Sequence, residues 1–135
     1  MGNVTSHASH RLFTAMAQGY LVFFKCPSQT INTNTARFVI ETGVYTYAGS
    51  CGVSCKKRIL RHLEQPARKR WHVDYLQCET LYAVVVPFSE RELAKKLAEV
   101  CAYVPHFGST DDPESPSHLF RCNLAEVVRY IGLTV

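Results

Sequence analysis

Gly19-Tyr20-Leu21-Val22-Phe23-Phe24 is apolar on both of its alternating faces, the pattern of a strand covered on two sides. The chain is therefore expected to build a sheet around this run, which Cys26-Pro27-Ser28 ends. Asn32, Thr33, Asn34 and Thr35 supply a turn. Residues 37–40 and 44–47 then read as β-prone runs on either side of Thr42-Gly43. A small antiparallel sheet follows.

Downstream, residues 50–54 form a glycine-containing turn. Residues 55–64 have helical spacing, with Ile59, Leu60 and Leu63 on one side and Arg58, Arg61, His62 and Gln65 on another. Pro66 closes that helix. Residues 71–75 are an apolar run, and residues 81–86, ending at Pro87, read as a buried strand. Ser89 as N-cap with Glu92 three residues on makes a capping box, and Phe88 against Leu93 makes a hydrophobic staple. The helix so started is expected to run to about Tyr103, burying Leu93, Leu97 and Val100. A polar loop over 105–116 and a short helix over 123–130 complete the chain. Residues 1–17 read as an N-terminal arm, 18–121 as the domain and 122–135 as its helical extension.

The 135 residues, 47% hydrophobic and 19% charged, suit one compact domain. No run approaches the roughly 18–20 apolar residues of a membrane helix, and residues 1–18 contain no apolar signal core, so a cytoplasmic location and no membrane partner are expected. The formal charge of +4 is unevenly placed: Lys56, Lys57, Arg58, Arg61, Arg68, Lys69 and Arg70 face only Glu64 within 56–72, and the remainder is slightly acidic. Such a stretch suits an anionic partner, nucleic acid first; a solvated basic helix face is the structural alternative. None of the six cysteines forms C-x-x-C, and Cys51 with Cys55 lacks the second ligand pair of a zinc site. Cys78, Cys101 and Cys122 sit among apolar residues and read as buried thiols, with structural disulfides left open.

Tyr45 and Tyr47 share one strand face, and Arg58 and His62 stand at i and i+4 on the following helix. A phenol, a guanidinium and an imidazole at one strand-to-helix junction can grip a phosphodiester and move a proton. Each alone is commonly structural. His7, His10 and His106 show no chemistry, and Trp71 reads as core.

Tyr47-Ala48-Gly49-Ser50 followed by Arg58-Ile59-Leu60-Arg61-His62 resembles the second motif and catalytic helix of the GIY-YIG nuclease superfamily. Trp71-His72-Val73-Asp74-Tyr75-Leu76, Arg91-Glu92-Leu93-Ala94, Phe107-Gly108-Ser109 and Ser117-His118-Leu119-Phe120 resemble, in the same order, its Uri-type endonuclease branch. The blocks span residues 18–121. Two departures stand out: Gln18-Gly19-Tyr20 has glycine directly before the tyrosine, and Asp112 and Ser115 lie where relatives often carry cysteines.

The resemblance implies an α/β (α+β) fold, a three-stranded antiparallel sheet flanked by helices, and metal-dependent hydrolysis of DNA, with RNA not excluded, in repair, recombination or defence. It implies Tyr20, Tyr47, Arg58, His62 and Glu92 as catalytic residues. Glu92 would be the ligand of Mg²⁺ or Mn²⁺, bracing the scissile phosphate together with Arg58. Tyr20, helped by His62, would orient or deprotonate the attacking water, a role that needs a cation to stabilise the phenolate. Lys56, Lys57, Arg61, Arg68, Lys69 and Arg70, with His72 and His118, would contact the nucleic acid. A homodimer is left open. Two other readings stay beside this one: an abasic-site lyase acting through Lys56 or Lys57, and a non-catalytic nucleic-acid-binding module.

Overall fold

The computed structural model describes residues 18–64, 69, 71–110 and 112–132. The expected arm over 1–17, the closing Pro66, and Arg68 and Arg70 lie outside the described residues. In chain order the elements are β1 (Gly19–Cys26), β2 (Gln29–Asn32), β3 (Arg37–Ile40), β4 (Gly43–Ser50), α1 (Cys55–Glu64), a 3₁₀ turn (His72–Tyr75), β5 (Glu79–Val86), α2 (Glu90–Val100), β6 (Ala102–Tyr103), β7 (Leu119–Arg121) and α3 (Leu124–Ile131). One antiparallel sheet has the order β5-β1-β4-β7-β6, and β2 with β3 forms a separate hairpin.

β1 is paired on both edges, with β4 and with β5, as its two apolar faces require. Tyr20, Val22 and Phe24 enter one core cluster with Tyr45, Tyr47 and Phe107. Leu21 and Phe23 enter a second with Leu93, Leu97, Phe120 and Val127, beneath α2 and α3.

The sheet has five strands, correcting the three expected. β5, β1 and β4 are its long strands; β7 has three residues and β6 two, too short to leave a period in the sequence. The apolar run at 71–75 is a 3₁₀ turn, its start tied by the Asp74 carboxylate accepting from the Trp71 amide at 2.9 Å. α2 ends at Val100 and not near Tyr103, because Ala102 and Tyr103 pair with β7. Ser89 caps it by accepting from the Glu92 amide at 3.1 Å. α3 begins at the Asn123–Glu126 capping box and stops at Gly132, whose φ of 72° is left-handed.

α1 is rotated from its expected setting. His62 is its buried residue, whereas Leu60 and Leu63 are exposed. The imidazole can be buried because the sheet offers it the Tyr20 hydroxyl as a partner. Cys78, Cys101 and Cys122, read as buried thiols, are in disulfides, and all six cysteines are paired: Cys26–Cys78, Cys51–Cys55 and Cys101–Cys122.

Candidate functional site

Alternation along β1 and β4 puts Tyr20 and Tyr47 on the same side of the sheet, with Tyr20 opposite Gly49 and Tyr47 opposite Val22. α1 crosses that side and lowers His62 onto them. The Tyr20 hydroxyl and His62 Nε2 are 2.7 Å apart, and the Tyr47 ring centre lies 5.6 Å from that of His62. A side chain at position 49 would overlap the Tyr20 ring, so glycine is what lets the phenol lie flat across the neighbouring strand.

Arg58 precedes His62 by one turn and shares its face of α1. Its Nη1 donates to the Ser50 carbonyl at 2.9 Å, and its guanidinium stands 5.7 Å from the Trp71 ring centre. Gly52, with φ of 56°, passes beneath the Arg58 guanidinium, where a Cβ would come within 2.7 Å of Nη2. Both the left-handed turn and the close approach call for glycine there.

These groups border a cavity of about 500 Å³ lined by Tyr20, Tyr47, Arg58 and Trp71 on one side and Glu90, Arg91, Asp112 and His118 on the other. Its volume is that of a small-ligand site. Burial pushes the pKa of Tyr20 above the usual phenol value, with Arg58 opposing and Glu90 and Asp74 adding to it. Tyr47 is raised well above its ordinary value, first by burial and then by Tyr20, Glu90 and Asp74. Burial lowers His62 to about 4, with Asp74 opposing and Arg61 reinforcing. At neutral pH, Tyr20 and His62 are thus an uncharged phenol–imidazole pair, and no phenolate stands ready.

Glu92, expected as the metal ligand, is exposed and is not among the residues lining this cavity. Glu90 lines it instead. On α2 the buried residues are Leu93, Ala94 and Leu97, so the inward face runs through position 90, while position 92 falls with exposed Lys95, Lys96 and Glu99. That period was readable in the sequence and marks Glu90 as the acid that faces inward. Glu90 Oε1 lies 2.7 Å from His118 Nδ1, and His118 Nε2 donates to Asp112 Oδ2 at 3.0 Å. Ser115 Oγ donates to the same Asp112 oxygen at 2.5 Å, and Arg91 Nε stands 3.8 Å from the other. Burial lowers the His118 pKa, but Glu90 and Asp112 outweigh it and leave the value raised. Burial raises Asp112, and Ser115, His118 and Arg91 outweigh it and leave the value lowered.

As a cation site, Glu90 offers a single oxygen donor group at the wall of an open cavity. That fits Mg²⁺ or Mn²⁺, which takes one or two carboxylates and completes its shell with phosphate oxygens and water. Among the described residues no group of three or more His, Cys, Asp and Glu is placed to enclose an ion.

The expected nucleic-acid contacts divide. Lys56, Lys57 and Lys69 are exposed, the last with its ammonium 4.9 Å from the Tyr75 ring centre. Arg61 is ion-paired with Asp74 at 2.8 Å and stands 4.9 Å from the Trp71 ring centre. His72 does not present its ring as a free contact: Nδ1 accepts from the Gly108 amide at 2.8 Å, the ring packs on Phe38 and Phe107, and burial lowers its pKa. His118 borders the cavity but is only 1% exposed, its ring lying between Glu90 and Asp112. Trp71, read as core, is half-buried and contributes to the cavity wall.

No curated protein and no solved structure matches the chain. The model of a family described as Domain of unknown function DUF123 matches residues 19–132, nearly all of the described structure. No GIY-YIG match accompanies it, and DUF123 is a distinct family, so the resemblance to the GIY-YIG superfamily and its Uri-type branch is corrected. Blocks of a few residues each, of types common in any strand and helix, carry less weight than a continuous match over the whole domain. The chain belongs to the DUF123 family.

Proposed function

We propose that the protein is an endonuclease that hydrolyses DNA phosphodiester bonds with the help of a divalent cation, Mg²⁺ or Mn²⁺. The observation that carries this reading is the 2.7 Å contact between Tyr20 and His62 beside a cavity that Tyr20, Arg58 and Glu90 line. A neutral imidazole whose Nε2 accepts the Tyr20 proton makes the phenol a relay: the phenolic oxygen takes a proton from an attacking water as it passes its own to His62. Arg58, held by the Ser50 carbonyl, presents its remaining donors to the phosphate oxygens. Glu90 would hold the cation, which when bound supplies neutralisation of charge on the phosphate and the leaving oxygen. Lys56 and Lys57, exposed on the first turn of α1, supply backbone contacts without sequence information.

The lyase reading needs an amine at the site, and among the described residues no lysine lines the cavity. The proposal puts the action on DNA in the cytoplasm, with a homodimer as one arrangement for cutting two strands. Three cystine pairs in that compartment would be an exception to the usual reducing environment.

The test is cleavage of labelled plain, abasic, branched and single-stranded DNA and of RNA, in Mg²⁺ and in EDTA, with wild type beside Arg58→Ala. Magnesium-dependent cutting lost in the variant supports the reading. EDTA-resistant cutting confined to abasic DNA replaces it with the lyase, and binding without any cutting replaces it with the binding module.

A further inference from the structure

The resemblance counts His118 among the nucleic-acid contacts, yet its ring is buried and faced by a carboxylate at each nitrogen. Its backbone is locked as well: its amide donates to the Phe107 carbonyl at 2.8 Å and its carbonyl accepts from the Ala48 amide at 2.9 Å, tying it to the edge of β4. From this fixed point Nδ1 faces Glu90 at 2.7 Å and Nε2 faces Asp112 at 3.0 Å. Asp112 is in turn held by Ser115 and lies near Arg91. A continuous chain of contacts therefore runs from the 112–115 loop through the buried imidazole to the carboxylate that faces the cavity from the first turn of α2.

We infer that His118, backed by Asp112, is a positioning residue that fixes the Glu90 carboxylate at the cavity wall. A glutamate at a helix start otherwise has three free torsions and would sample orientations away from the site. With one oxygen in ion-pair contact with His118 Nδ1, its other oxygen is presented in a restricted set of directions. This is the part that outer hydrogen-bond partners play for carboxylates that ligate metals. The 112–115 loop thereby acquires a role in the site without touching a substrate. The inference rests on the nuclease reading for the part Glu90 plays, but its geometry can be tested without cleavage.

Binding of Mn²⁺, followed by loss of the free-ion paramagnetic resonance signal, is compared in wild type, Glu90→Gln, His118→Gln and Asp112→Asn, each first shown to unfold cooperatively. Saturable binding lost in Glu90→Gln and weakened about ten- to a hundredfold in His118→Gln supports the inference. A smaller loss in Asp112→Asn, with no further loss when it is added to His118→Gln, shows that the two act as one chain. A purely structural role would lower the unfolding temperature and leave the affinity of the folded protein unchanged. Wild-type affinity in His118→Gln overturns the inference, as does wild-type affinity in Asp112→Asn should His118→Gln not fold, or the absence of saturable binding in wild type. If the affinities fall as stated while no nucleic acid is cut, the nuclease reading fails and the positioning role stands. Metal-dependent cutting with unchanged affinities overturns the positioning role and leaves the nuclease reading in place.

Discussion

The Tyr20 hydroxyl meets Nε2 of His62 at 2.7 Å across 42 residues of chain, with both side chains almost fully buried. This contact joins the central strand to the basic helix, and in the proposed reaction it is the route by which a proton would move. Tyr20→Phe keeps the ring and removes the relay. Cleavage is expected to fall about 10²- to 10⁴-fold, and stability by about 1–3 kcal/mol because the buried imidazole loses its partner. Single-turnover kinetics and urea unfolding on the same preparation check both, and cutting at the wild-type rate removes Tyr20 from the mechanism.

Gly49→Ala tests the same phenol from the opposite strand. The added methyl would overlap the Tyr20 ring, so either the ring moves or the two strands separate. A loss of about 1–3 kcal/mol is expected from overpacking. Cleavage should fall further than the fraction of folded protein explains, since a displaced Tyr20 loses His62. Unchanged activity and stability would mean that the ring does not lie over position 49.

Acid should destabilise the fold through His62. Its folded pKa is about 4 against an ordinary 6.5, so between these values the unfolded chain binds a proton that the folded chain does not. The associated stability is complete above 6.5 and is lost as pH falls toward 4, by at most about 3 kcal/mol at 1.4 kcal/mol per unit. Urea midpoints measured across this range should slope upward with pH in wild type and slope less in His62→Gln. Equal slopes would place the acid sensitivity elsewhere.

The three cystine pairs predict that the unreduced protein is lighter than the reduced one by one hydrogen per cysteine, readable by intact mass. Cys26–Cys78 closes the longest loop, with a sequence separation of 52 residues, and ties the end of β1 to the approach of β5. Replacing both cysteines by serine is expected to cost about 2–4 kcal/mol. A fully reduced mass from protein purified without reductant would contradict the pairing.

Much of the frame was readable in the chain. The two-faced β1, the β3 and β4 runs, the start of α2 at Ser89 and the helix after Asn123 all follow from period and capping. β6 and β7 were hidden because pairs of two or three residues have no periodicity, and they form only where α2 and the 105–116 loop bring them together. The site was legible in part. Tyr20, Tyr47, Arg58 and His62 converge, whereas the resemblance put the acid at Glu92, a position whose capping box is its structural reading, and the inward period of α2 brings Glu90 to the cavity. The resemblance made His118 a nucleic-acid contact, and nothing in the local sequence shows that two carboxylates, one from α2 and one from a loop, face its ring.

β1 has a consequence for how such a domain can be altered. Its odd-numbered side chains Leu21 and Phe23 and its even-numbered side chains Tyr20, Val22 and Phe24 never share a neighbourhood, so one strand carries two independent inheritances. Substitutions at the odd positions would reset heat tolerance beneath α2 and α3 while leaving the phenol in place. Changes at the even positions would disturb the other cluster, the one that holds Tyr20 against His62. A single-residue insertion ahead of Tyr20 would exchange the two sets at once, so the two clusters stand or fall with the register of this strand.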